Sequence, residues 1–110
     1  MTKYLLLYRA PVSAQDQMAN ADPEQARAGM DAWMTWSEKA GSAITDLGAP
    51  TQPVATVPDG AAGGSGFIGG YSLMEAGSQG ELEGLLDGHP HLMMDGASIE
   101  VLELLPVPGM

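Results

Sequence analysis

The chain has 110 residues, fourteen acids against four bases for a formal charge of −10, and no cysteine. The missing cysteines exclude disulfide frameworks, thiolate nucleophiles and thiolate metal sites. The dispersed acids make a surface that repels phosphate backbones and anionic headgroups, so neither nucleic acid nor a membrane is expected as a partner.

One domain spanning 1–110, with one modest core, is the expectation for this length. Residues 3–9 read as the first strand. They are apolar on both parities (Tyr4, Leu6, Tyr8 and Leu5, Leu7), as when both faces of a sheet are covered. The run is far short of the ~20 residues that cross a bilayer, so a soluble, cytoplasmic protein is expected. Asp22-Pro23 with Gln25 opens a helix as cap, first helical residue and capping-box partner. Ala26, Met30, Trp33, Ser37 and Ala40 recur at helical spacing and predict its buried face, and Gly41 ends it.

Residues 42–47 predict a second strand. Residues 51–66 form a variable Gly/Pro-rich loop, with a short edge strand at 54–57 and a mobile linker at 59–66. Gly63-Gly64-Ser65-Gly66 lacks the lysine of a phosphate loop. Residues 67–75 predict the third strand, with Gly69 and Gly70 marking a bulge or a close backbone approach. Ser78-Gln79-Gly80-Glu81 is a second capping box, opening a short helix that turns Leu82, Leu85 and Leu86 inward and stops at Gly88. Residues 97–105 predict the last strand, ended by Pro106 and Pro108.

Strand-helix-strand occurs twice. The pattern predicts an α+β, ferredoxin-like β-α-β-β-α-β fold, a four-stranded antiparallel sheet with two helices on one face. One helical layer leaves the opposite face bare, with Leu102 and Leu104, or Ile99 and Val101, on it. A homodimer closed through the sheet faces is therefore expected.

The chain's only two histidines stand together in Gly88-His89-Pro90-His91-Leu92. Pro90 biases His89 toward an extended backbone, which would put both imidazoles on one face. They are the compact group of residues suited to proton transfer. No Gly-x-Ser-x-Gly elbow accompanies Ser72, His91 and Asp95.

Several stretches carry a resemblance: Lys3-Tyr4-Leu5-Leu6-Leu7-Tyr8, Trp33 through Ala40-Gly41, Gly69-Gly70-Tyr71-Ser72-Leu73, and Gly96-Ala97-Ser98-Ile99-Glu100-Val101. In these the chain resembles the YCII-related (DGPF-like) family of the dimeric α+β barrel superfamily. The resemblance implies a dimer with a pocket between sheet and helices in each subunit. Some members carry a His–Asp pair assigned to acid–base chemistry, and one relative is a dehydrochlorinase of a chlorinated aromatic ring. The family's helix histidine falls at or near Met30 here, and its Asp-Pro-Phe type motif is replaced by His89-Pro90-His91.

The expected site follows. His91 is the proton-transfer residue, His89 its helper, and Asp95 the carboxylate that would orient a ring. Trp36, Tyr71, Ser72, Tyr8 and Arg9 are the substrate contacts, with Met30, Met34, Met74, Met93 and Met94 as an adaptable apolar lining. Trp33 is expected in the core and Trp36 at the edge of the helix face, its indole N–H turned to water or ligand. The competing reading has both rings capping the short helix and Arg9 in a plain ion pair. A His-x-His pair offers fewer ligands than the three of a catalytic zinc, so no metal is assigned. The function expected is a small enzyme of lyase or isomerase type, without a cofactor, acting on an apolar or aromatic metabolite. The alternative is a non-catalytic dimer that binds a small molecule.

Overall fold

A computed structural model describes residues 1–12, 16, 19, 22–55, 57, 58 and 67–108. The linker expected at 59–66 lies outside the described residues. Strand β1 (Thr2–Ala10) buries Tyr4, Leu6, Tyr8 and Ala10 and leaves Leu5, Leu7 and Arg9 half-buried on the other side. That is the side-chain alternation of a strand with one face in the core. Helix α1 (Pro23–Ala40) starts where Asp22 Oδ1 accepts the Gln25 amide at 2.7 Å. It runs into a 3-10 turn (Gly41–Ala43), which shortens β2 to Ile44–Asp46, against the 42–47 expected.

Strand β3 (Phe67–Ala76) is followed by helix α2 (Gln79–Leu85). Half of the expected capping box forms: Ser78 Oγ accepts from the Glu81 amide, whereas Glu81 Oε2 accepts from the amide of Gly77, one residue before the cap. A 3-10 turn (Pro90–Met93) leads to β4 (Ser98–Glu103), shorter at both ends than the 97–105 expected.

The sheet order is β2-β3-β1-β4, every pair antiparallel. This is the ferredoxin-like arrangement, with the first and third strands central. Tyr8 pairs with Gly70 and Arg9 with Ile68, so Gly69 is the extra residue of a bulge where one was read. Residues 54 and 55 are not a strand, and Val54 and Val57 are exposed. Pro50 instead bridges Gly70 and takes the place beside β3. Gly48, at φ +81, passes so close to Tyr71 that a Cβ would collide with the Tyr71 carbonyl.

The core lies between the sheet and the helices: Tyr4, Leu6, Tyr8, Trp36, Ala40, Met74, Ala76, Leu82 and Leu86. Leu6, Met74 and Leu82 are fully buried, each contributing about 1.5–3 kcal/mol of apolar transfer. The buried stripe of α1 differs from the one expected. Gly29, Ala32, Trp33, Trp36, Ser37 and Ala40 face inward to varying degrees, while Ala26 is exposed and Met30 is 64% exposed. The helix is thus rotated about its axis relative to the expected face. Trp36 (3% exposed) takes the core position and Trp33 the half-buried edge, the reverse of the expectation.

Ile99 and Val101 of β4 turn to the helices and Leu102 to the opposite face. On that opposite face Leu5 is flanked by Leu73 and Leu102, and Leu7 by Tyr71 and Glu100. Neither helix of the described residues is long and apolar enough to cross a membrane.

Candidate functional site

Helix α2 ends after about two turns, and the chain folds back over β1 through His89, Pro90 and His91. His89 is extended (φ −58, ψ 134), as the following proline demands, and its side chain caps the 3-10 turn. The His91 amide donates to His89 Nδ1 at 3.0 Å. An amide N–H only donates, so Nδ1 is the bare nitrogen and the ring proton of neutral His89 sits on Nε2.

His89 is entirely enclosed (0% exposed). Its ring centroid lies 4.2 Å from Trp36, 4.6 Å from Trp33 and 5.2 Å from Tyr8. Burial, and secondarily the nearby charge of His91, pushes its pKa from 6.5 down to about 4. The ring is neutral at physiological pH. Its Nε2 has no hydrogen-bond partner and is the one such buried side-chain atom among the described residues.

Pro90–Met93 wind into a 3-10 turn instead of staying extended, yet both imidazoles come within 5.2 Å of the Tyr8 ring. The His91 ring also packs on Tyr8, at 5.2 Å, but its Nε2 reaches the carbonyls of Arg9 at 2.9 Å and Ser98 at 3.1 Å. Carbonyls only accept, so that nitrogen carries a proton shared between them. His91 thereby clasps the end of β1 to the start of β4, and only its Nδ1 is left for proton exchange. Asp95 is exposed, and among the described residues no hydrogen bond or ion pair joins it to either ring. Nor does any group of three His, Asp or Glu side chains that could hold a metal occur among the described residues.

Tyr8 extends the site across the sheet. Its hydroxyl donates to Ser72 Oγ at 2.7 Å, and Ser72 donates on to the Leu47 carbonyl at 2.6 Å. Burial raises the Tyr8 pKa, and the bond to Ser72 pulls against that rise. The Trp36 indole N–H is satisfied by the Leu85 carbonyl at 2.9 Å and does not face water as expected. Trp36, Tyr8, Ser72 and His89 therefore come together on the helix side of the sheet.

Tyr71 and Arg9 stand on the opposite face, where Arg9 Nε pairs with Glu100 at 2.7 Å. Met74 is in the core, whereas Met30, Met34 and Met93 are largely exposed and do not line a pocket as expected. Trp33 belongs to the aromatic box although it was read as plain core. Its place one turn before Trp36 was the available signal.

The turn that carries His89 also walls a groove of about 320 Å³, lined by Glu83, Leu86, Asp87, Leu92, Ile99 and Val101. The groove adjoins the box: the His89 amide donates to the Leu86 carbonyl, the Leu92 amide donates to the His89 carbonyl, and Ile99 pairs with Tyr8 in the sheet.

No family model matches the chain, and no curated protein matches it in sequence. Among solved structures it is similar to the 5-chloro-2-hydroxyhydroquinone dehydrochlorinase of Burkholderia phenoliruptrix AC1100 in complex with 2,5-dihydroxybenzoquinone. The TM-score is 0.50 and the identity 19%, over 91% of each chain. At that identity the likeness shows a shared fold alone.

Proposed function

We propose that the protein is a YCII-like enzyme of lyase or isomerase type, working without an organic cofactor on a small apolar or aromatic metabolite. It acts as a homodimer joined through the Leu5, Leu7, Leu73 and Leu102 face of the sheet, an apolar surface that a second copy would cover. The observation that carries the reading is His89: a neutral imidazole enclosed by Tyr8, Trp33 and Trp36. A wholly buried polar ring with a strongly displaced pKa in an aromatic surround is the arrangement that tunes proton chemistry at enzyme sites. Proton exchange falls to His91 Nδ1, since His91 Nε2 is held by two carbonyls, and His89, whose Nδ1 accepts the His91 amide, is its helper. A fold neighbour named for its action on a chlorinated hydroxyhydroquinone supports an aromatic substrate.

One observation favours the alternative, a non-catalytic binding dimer. No carboxylate is hydrogen-bonded to either ring among the described residues, and a histidine base is ordinarily oriented by one. The experiment that decides uses acetophenone, an aryl ketone with exchangeable α-protons. Binding is followed by fluorescence of Trp33 and Trp36, and exchange by NMR in D2O. Binding with exchange above the buffer rate is the expected result. Binding without exchange makes the protein a binder, and no binding at millimolar ligand refutes both readings.

A further inference from the structure

We propose that the groove between β4 and the end of α2 binds a small organic ammonium, a primary amine carried on an apolar body. The site is separate from the histidine chemistry proposed above, and neither depends on the other.

The walls select the body. Ile99 and Val101 line the groove from the sheet, Leu86 from the end of α2 and Leu92 from the turn, around a space of about 320 Å³. That is the low end of small-molecule sites, lined mainly by apolar side chains as such sites are. A hydrocarbon body gains there by leaving water. A bare metal ion gains nothing from such walls, and no group of three His, Asp or Glu suited to a metal occurs among the described residues.

The rim selects the head. The two remaining lining residues, Glu83 and Asp87, are both acidic. Glu83 Oε2 accepts only a neutral amide N–H from Gln79, at 3.3 Å. The Asp87 carboxylate has no hydrogen bond or ion pair among the described residues. The chain has four bases with which to answer them. Arg9 is taken by Glu100 on the far face of the sheet, where Lys3 also stands, opposite Glu75. Arg27 is exposed on α1 and does not line the groove, and the amino terminus at Met1 lines a different hollow with Leu104 and Pro106. Lys39 comes nearest, but its ammonium donates to the Asp87 main-chain carbonyl at 3.3 Å, not to the carboxylate. Two carboxylates beside that one ammonium leave a negative charge unmatched. An anion is repelled by it, a neutral ligand binds through its body alone, and an ammonium gains from both.

The test uses 2-phenylethylammonium, 2-phenylethanol and 3-phenylpropanoate, which share one apolar body and differ in the charge of the head. Binding is read from the NMR methyl signals of Leu86, Leu92, Ile99 and Val101. The expected result is shifts at these methyls, with the ammonium about fivefold tighter than the alcohol and the carboxylate weakest. High salt should close the gap. Glu83→Gln and Asp87→Asn alter exposed side chains, so the fold should survive them. Each should lower the preference for the ammonium, and together they should bring it to about one with the alcohol's affinity unchanged. Lys39→Gln should raise it. Asp31→Asn removes an equal charge from the exposed surface of α1, outside the groove, and should leave it as it was.

An alcohol that binds as tightly as the ammonium overturns the proposal. So does a preference that Asp31→Asn lowers as much as Asp87→Asn, which would make it an effect of the protein's overall charge. Absence of shifts at the four methyl-bearing residues with every probe overturns the site itself. None of these results touches the enzyme reading, which is decided by proton exchange.

Discussion

Lowering the pH from 7 to 5 should destabilise the protein through one residue. An unfolded His89 takes up a proton near its ordinary pKa of 6.5, whereas the enclosed ring resists protonation until about 4. Between these values the unfolded state binds more protons than the folded state, so stability falls as pH falls. The loss begins near 6.5, reaches about 2 kcal/mol at pH 5, and levels off at about 3 kcal/mol below 4, at 1.36 kcal/mol per pH unit. Above pH 7 the contribution is flat. Protonation also puts a proton on Nδ1 and breaks the bond from the His91 amide, so the 3-10 turn loosens in the same range.

The assay is urea unfolding at pH 7, 6 and 5, followed by fluorescence of Trp33 and Trp36 at one fixed protein concentration, because association would otherwise shift the midpoint. His89→Asn is the reference. It keeps a capping oxygen and cannot titrate here, so its stability should vary about 2 kcal/mol less than wild type between pH 7 and 5. Parallel pH dependences for the two proteins would refute the enclosed, neutral ring.

Other outcomes follow from the same geometry. Tyr8→Phe removes the donor to Ser72 while leaving Ser72 bonded to Leu47, and should cost about 1 kcal/mol in the same denaturation assay. Leu7→Lys, set between Tyr71 and Glu100 on the uncovered face, should turn a sedimenting dimer into a monomer. A dimer that persists would place the interface elsewhere. Gly48→Ala forces a side chain onto the Tyr71 carbonyl at φ +81. It should cost at least about 2 kcal/mol, since the left-handed region alone costs a non-glycine residue about 1–2. Hydrogen exchange at β2 and the β3 residues facing it should rise accordingly.

Elements whose signals are short-range appear in the fold as they were read. The Asp22-Pro23 start and the Ser78 cap depend on side chains reaching amides three residues away. The β1 alternation and the Gly69 bulge depend on local geometry. The order of strands and helices therefore follows from the chain alone, and with it the ferredoxin-like topology, in which each helix joins two parallel strands that are not neighbours. The strand limits at 42–47 and 97–105 were too generous, because pairing partners, rather than propensity, decide where a ladder stops.

The aromatic box was beyond that reach. Trp33 and Trp36 both lie near the inward side of α1, and a helical period cannot say which is deeper. The rotation of α1 against the sheet settles it, putting Trp36 in the core and Met30 in solvent. In the same way His-Pro-His marked the residues that matter but not their arrangement. His89 meets Tyr8 across 81 positions of sequence and His91 reaches the Arg9 carbonyl across 82. The burial of one ring and the tethering of the other arise when β1, β4 and α1 close around the turn. Local residue patterns carry the periodicity and caps of single elements, whereas enclosure and ring tautomer depend on surfaces that meet only when the elements pack.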